Sequence, residues 1–506
     1  MVHSTDLESL RLNSLASSNL ASSAKYMSKK VFIIFLIIFL IFSAKSWFYL
    51  DPDFGWHLKT GDLILQGQFP KTDPFSYTMP SFPYVDHAWI VSIFFSFLYP
   101  FIGRLGLSFI ISFIAILALW ISFPNKIKYL FPIIISTSIL VYFVGLRSQV
   151  FTWLMLAILL RIILNIKLWE KFKYLFPFFF LFWANLHGGF VSGILVMTFI
   201  LILRIIRVKK FLTVDVGILA LSIFATLINP YNLGLWREIL LDIFSGSLRY
   251  SISEWLPTIY IANIPMIVFF PTFSYLIWYA RKSFNLEKLS LFAIFLIQSV
   301  LTTRHIPLFI LVSLPMVEEA IDYISKKTSH IKYARKRLKK AHNFIIIVSI
   351  FVLCLQLYIL INNNNFSFRS DKFYPEKAVV YLKSNLPKGE IFSTYNWGGY
   401  LIWKLPEKKV FIDGRMPVWK RDVFPKNETG SAFSDFRQIL FGEKDYIPTF
   451  LKFNIDTLLL ATEKEKKGIE LFDKKPTFNF NNKLEEDGWE KVYSDEVSII
   501  FQKSTN

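Results

Sequence analysis

The chain has 506 residues, 54% of them hydrophobic and 18% aromatic, with a mean hydropathy of +0.44. Apolar runs of about 17 to 25 residues, the length of a membrane-crossing helix, recur through the first 362 positions and exclude an ordinary soluble multidomain protein. The formal charge of +19 does not mark a nucleic-acid binder, because its basic clusters (Lys25 to Lys30, Lys167 to Lys173, Arg204 to Lys210, Arg281 to Lys288, Lys326 to Lys340) lie beside or between apolar runs, as cytoplasmic loops do.

Residues 1–28 are rich in Ser, Asn and Leu without periodicity and read as a disordered cytoplasmic tail. Lys29-Lys30 followed by Val31 to Phe42 reads as an uncleaved signal anchor that carries the chain outward. A large first outer loop, 50–88, opens on Asp51-Pro52-Asp53. It continues through D-F-G-W-H-L-K-T-G-D, P-K-T-D-P-F-S-Y-T and Y-V-D-H-A-W. Pro100 and Gly103-Arg104 divide 88–122 into an interfacial or re-entrant helix over 88–103 and one true span. Further spans are expected at 128–146, 150–166, 174–186, 189–206, 212–229, 262–280, 289–302, 305–320 and 343–361.

The expected fold is therefore an all-α polytopic membrane protein of ten or eleven transmembrane helices. Its membrane domain covers 29–362, and a C-terminal extracytoplasmic α/β domain covers 366–506. In that domain Tyr374 to Asn385 reads as a helix, while Val410-Phe411-Ile412 and Glu496 to Phe501 read as strands. The single cysteine, Cys354, excludes a disulfide or a thiolate zinc site within one chain. The seven histidines contain no His-x-x-x-His pair.

The positive-inside arrangement collects the polar interruptions on the outer face. Ionisable residues beside hydrocarbon are costly and point to function. Asp53 is the first candidate for a general base and Asp51 the second, and His57 shares a helical face with Asp53. Asp86 and His87 close the same loop. Arg147 sits between two apolar runs as a candidate phosphate ligand, the alternative being a pair with a loop carboxylate. Asn185 and His187 occupy the turn N-L-H-G-G and offer hydrogen bonds to sugar or phosphate. Glu254 is a candidate second acid or metal ligand. Arg304-His305 repeats the Arg147 pattern.

An acidic motif after the first span, a long first outer loop, two spans turning through N-L-H-G-G and a C-terminal outer domain resemble the GT-C superfamily of membrane glycosyltransferases. The resemblance covers mainly residues 30–320 and is most specific from Asp51 to Trp89. It implies a polyprenyl-phosphate-linked sugar donor, inverting transfer on the extracytoplasmic side of the inner membrane, and a catalytic aspartate at Asp53 or Asp51. The acceptor stays unnamed, and the lipid bilayer is the other partner.

The chain departs from the metal-dependent oligosaccharyltransferases of that superfamily by lacking a second acidic pair at the outer end of a later span. That lack leaves a divalent cation (Mg or Mn) without its ligand set, and no other cofactor is expected. The tail motifs Y-N-W-G-G-Y (Tyr395 to Tyr400) and F-I-D-G-R (Phe411 to Arg415) resemble tails of uncharacterised prokaryotic members. Trp397 and Tyr400 are expected in the core of that tail. Two other classes share the composition: a flippase for lipid-linked glycans, which would spread polar groups through the membrane depth, and a non-catalytic envelope scaffold.

Overall fold

A computed structural model of the protein describes residues 29–123, 127–244, 252–328, 332–362, 369–419, 431–462 and 478–503. The expected 1–28 tail lies outside them. Among the described residues, Lys29–Phe48, Trp89–Ser122, Phe190–Val208 and Lys340–Asn362 are each long and apolar enough to cross a membrane unaided. On Lys29–Phe48, Val31, Phe35, Ile38 and Phe42 recur at three- or four-residue spacing and are buried, while Phe32, Ile33, Leu36, Ile37 and Leu40 are exposed. A helix apolar on all its faces suits lipid rather than a water-facing bundle.

The 34-residue stretch Trp89–Ser122 is broken at Gly103, whose φ of 58° and ψ of −167° a side chain would resist. Pro100, one turn earlier, withholds a backbone donor. The break falls where the sequence separates the 88–103 helix from the following span. A second break joins Gln149–Ile163 to Ile166–Leu186 at a bend of 108°. There the Asn165 side chain caps the N–H groups of Lys167 and Leu168.

The span expected at 128–146 is helical only over Phe131–Leu140. Ten residues reach about 15 Å, half the hydrocarbon thickness. Beyond Leu140 the chain turns through Tyr142 and Phe143 to Arg147, and all three line a cavity. Irregular backbone at membrane depth is tolerated in that setting because its polar groups need not face lipid. Thr213–Ala225, Ile264–Tyr279, Leu286–Leu301 and Ile306–Thr328 are helical near the other expected positions.

The C-terminal domain is built on a four-stranded sheet: β1 (Glu390–Ser393), β2 (Ile455–Ala461), β3 (Trp489–Ser494) and β4 (Ser498–Lys503). The order is β1-β2-β4-β3, with β1 and β2 parallel and the other pairs antiparallel. Glu376–Ser384 is helical and β4 forms as the sequence indicates, but Val410-Phe411-Ile412 is not a strand. Val410 makes only isolated bridges, to Ser76 and to Ile391, because a piece of the 50–88 loop lies beside it. Trp397 and Tyr400 are core residues, with Tyr400 stacked on Tyr374.

The 50–88 loop is thus woven into the C-terminal domain. Met79, Phe82 and Tyr84 share one apolar core with Phe392, Phe411, Met416 and Trp419. Thr78 donates to the Phe411 carbonyl at 2.6 Å. The Gly398–Lys404 helix meets the Phe54–Leu65 helix through two glycines: a Cβ on Gly55 would collide with the Gly399 carbonyl, and one on Gly399 with the Pro52 carbonyl. This close approach brings the C-terminal domain onto the Asp-Pro-Asp motif.

Candidate active site

Asp51-Pro52-Asp53 is the turn between the first span and the Phe54–Leu65 helix. The Asp51 Oδ1 accepts the Asp53 N–H at 2.9 Å, and the Asp53 carbonyl accepts the His57 N–H at 3.2 Å. Asp53 Oδ1 accepts the Trp56 indole N–H at 2.9 Å. Asp53 Oδ2 has no hydrogen bond among the described residues, and the side chain lines a cavity of about 300 Å3. Burial, and after it the Asp51 charge, push the Asp53 carboxyl up to about 7 against the Trp56 bond.

Asp51 is held differently. Its Oδ2 pairs with Arg147 Nε, and Arg147 Nη1 pairs with Glu254. Burial pushes the Asp51 carboxyl up while the guanidinium opposes it. For Glu254, Arg147 and Arg304 together outweigh burial and hold the carboxyl below its ordinary range. Arg147, expected as a phosphate ligand, therefore lies between two carboxylates, and Glu254, expected as an acid or metal ligand, is its ion-pair partner. Among the described residues no group of three or more His, Cys, Asp or Glu is placed to hold a metal ion. The carboxylates flanking Asp53 do not fit a divalent-ion site, because a guanidinium occupies them.

A second cavity of about 490 Å3 adjoins the first, and His87, Gln149, His187, Asp242, Trp255 and Arg304 line both. Its remaining wall is largely apolar, with Val191, Leu195, Ile239, Phe244, Leu301 and Leu308. Arg304 stands at the junction, its guanidinium 5.2 Å from the Trp255 ring centre and with no ion pair among the described residues. Burial and the Arg304 charge lower His87 and His305 to about 4, so both rings are neutral at pH 7. His187 Nδ1 accepts the Gly189 N–H at 2.9 Å, which leaves Nε2 to carry the ring proton. The glycine turn thereby fixes a tautomer with a free donor.

Of the expected site residues, only Asp86 and Asn185 line neither cavity. Asp86 accepts from Ser92 Oγ at 2.6 Å, and that hydroxyl lies 2.7 Å from His57 Nδ1, so Asp86 orients His57 through Ser92. Asn185 ties helices together: its Oδ1 accepts the Trp89 indole N–H, and its Nδ2 donates to the Leu181 and Ile228 carbonyls.

Sequence reasoning missed one whole wall. Tyr395, Asn396, Gly399, Gly414, Arg415, Pro417, Val418 and Trp419 all come from the C-terminal domain and line the Asp53 cavity. A Cβ on Gly414 would collide with Asp53 Oδ1. The Y-N-W-G-G-Y and F-I-D-G-R motifs were the available signal. Glu238 and Asp242, one helical turn apart on Leu233–Phe244, line it as well and were also missed.

No protein-family model matches the chain, and no curated protein is significantly similar to it. Among solved structures, the archaeal oligosaccharyltransferase AglB from Archaeoglobus fulgidus, in complex with an inhibitory peptide and a dolichol-phosphate, is similar at a TM-score of 0.56 and 10% identity. The match covers 94% of this chain and 75% of that one. ArnT from Cupriavidus metallidurans, bound to undecaprenyl phosphate, is similar at a TM-score of 0.50 and 9% identity, over 95% of this chain and 99% of that one. At such identities the likeness is one of fold. Both are GT-C glycosyltransferases, and the fold of this chain is the GT-C fold that its sequence resembles.

Proposed function

We propose that the protein is a membrane glycosyltransferase that moves a sugar from a polyprenyl-phosphate donor to an extracytoplasmic acceptor, with inversion. The observation that carries this reading is the pairing of cavities: one rich in charged side chains over the free oxygen of Asp53, joined at Arg304 to a more apolar one. A donor with a charged head between a sugar and a hydrocarbon tail matches that sequence of environments. The two similar structures, one bound to dolichol-phosphate and the other to undecaprenyl phosphate, support the same donor class.

Asp53 Oδ2 takes the proton of the acceptor hydroxyl as its oxygen bonds to the anomeric carbon. The bond from that carbon to the phosphate oxygen breaks, and its electron pair leaves with the polyprenyl phosphate. Arg304 neutralises the departing phosphate, and His187 donates to it from Nε2. A phosphate leaving group needs no acid, so one carboxylate suffices. Arg147 acts as a positioning residue: it fixes Asp51, whose side chain in turn caps the Asp53 backbone. The cation between Asp51 and Glu254 is then the guanidinium itself, and transfer needs no added Mg or Mn.

The test is sugar transfer in inner membranes with undecaprenyl-phosphate hexoses, comparing wild type with Asp53→Asn. Donor consumption by wild type alone supports the reading. Full transfer by Asp53→Asn removes Asp53 as the base, and no consumption by a folded wild type returns the weight to the flippase or scaffold class.

A further inference from the structure

The C-terminal domain touches the Asp-Pro-Asp turn at two points, Gly399 against Pro52 and Gly414 against Asp53. Lining the same cavity as both contacts is Tyr395, in the 3-10 turn Tyr395–Trp397 that leaves the C-terminal end of β1. The turn is pinned from three sides. The Thr394 N–H donates to the Leu459 carbonyl, the Trp397 N–H to the Thr394 carbonyl, and the Trp397 indole to the Phe373 carbonyl. The Tyr395 ring packs against Phe433, with centres 5.3 Å apart, and against Phe436.

Its hydroxyl has no hydrogen bond among the described residues, although the side chain lines the Asp53 cavity. Burial first, then the charges of Asp53, Asp413 and Glu254, push the phenol well above its ordinary range, so it stays a neutral donor. Asp53, Glu254 and Arg304 line the same cavity as Tyr395. Glu254 lies beside Arg304, at the phosphate end of the cavity. A ring transferred from a phosphate at Arg304 to a hydroxyl at Asp53 must pass between those two groups. A half-buried hydroxyl without a protein partner on that wall is open to water or ligand in the cavity.

We propose that the C-terminal domain is the sugar-side wall of the active site, and that the Tyr395 hydroxyl hydrogen-bonds the transferred sugar ring. Asn396, next in the chain and lining the same cavity, adds an amide beside it. The inference rests on the transfer reading for its chemistry, and only the labelling measurement below is independent of that reading.

Two measurements on the full chain in membranes decide it. Tyr395→Phe, which keeps the ring packing, is expected to lower kcat/KM for transfer from undecaprenyl-phosphate hexoses at least tenfold while leaving undecaprenyl phosphate affinity unchanged. Transfer within twofold of wild type overturns the proposal, as does an equal loss of undecaprenyl phosphate affinity. In the second, Tyr395→Cys with Cys354→Ser is labelled by a membrane-impermeant maleimide. Undecaprenyl-phosphate mannose, glucose or galactose should slow labelling, and undecaprenyl phosphate alone should not. Equal slowing by both lipids, or slowing by neither, overturns the contact. A wild type that transfers nothing refutes the transfer reading, and the labelling result then decides Tyr395 alone.

Discussion

Two guanidiniums line the same cavity, and each bridges two carboxylates. Arg415 binds Asp413 and Asp73, and Arg147 binds Asp51 and Glu254. Their exposure separates them. The Arg415 side chain is 6% exposed and both of its partners 0%, and three aromatic rings, Phe75, Tyr84 and Trp419, surround the cation. The Arg147 side chain is 20% exposed and that of Glu254 35%. The first cluster has both carboxylates buried and joins the 50–88 loop to the C-terminal domain. The second opens onto the space where chemistry is proposed. A buried ion pair is weak testimony for stability, but breaking one is severe because it strands a charge. The same motif therefore serves as a lock in one place and as a support for a base in the other.

The largest expected effect lies on the open side. Asp53→Asn should lower transfer by about 10²- to 10⁴-fold, the range for a lost general base, with the fold intact by limited proteolysis. On the buried side, Arg415→Ala should cost about 3–5 kcal/mol by stranding Asp413 and Asp73, read as a large drop in Tm after detergent extraction. An Arg415→Ala protein as stable as wild type would erase the contrast. Arg147→Gln should reverse that balance, losing about 100-fold in transfer and less stability than Arg415→Ala.

The pH profile sharpens the open side further. With Asp53 at about 7, kcat/KM should fall about tenfold per unit as pH drops below that value, because the base must be deprotonated. Removing Arg147 removes a charge that favours the carboxylate, so in Arg147→Gln the inflection should move above 7. An unmoved inflection would place Arg147 outside the field of the base. The smallest effect is reserved for chelation, since EDTA should leave transfer within twofold of its untreated rate if a guanidinium replaces the divalent ion.

Much of the membrane side of the site was legible in the sequence. Asp51, Asp53, Arg147, Glu254 and Arg304 are ionisable residues interrupting apolar chain, and the cost of that placement is visible without coordinates. Asn185 looked equivalent on the same ground, yet it satisfies two carbonyls and an indole between helices, and no local signal separates that use from ligand binding. The opposite wall was not legible because its contacts are remote: Tyr77 reaches the Ile391 carbonyl and Thr78 the Phe411 carbonyl across more than 300 positions. The Val410–Ile412 error has the same root. A continuous apolar triplet reads as a strand until a segment from the other end of the chain supplies its neighbour.

That remoteness also orders the protein's birth. Thr78 leaves the ribosome 333 residues before Phe411, its hydrogen-bond partner. At synthesis rates of about 5 to 20 residues per second, the gap is about 17 to 67 s. Throughout that interval the Asp-Pro-Asp turn is already made, while the domain that roofs it does not yet exist. A nascent chain therefore has lipid-embedded helices and a carboxylate at the surface, but no enclosed chamber. The chamber closes only with the final quarter of translation, and a chain released earlier lacks one of its walls.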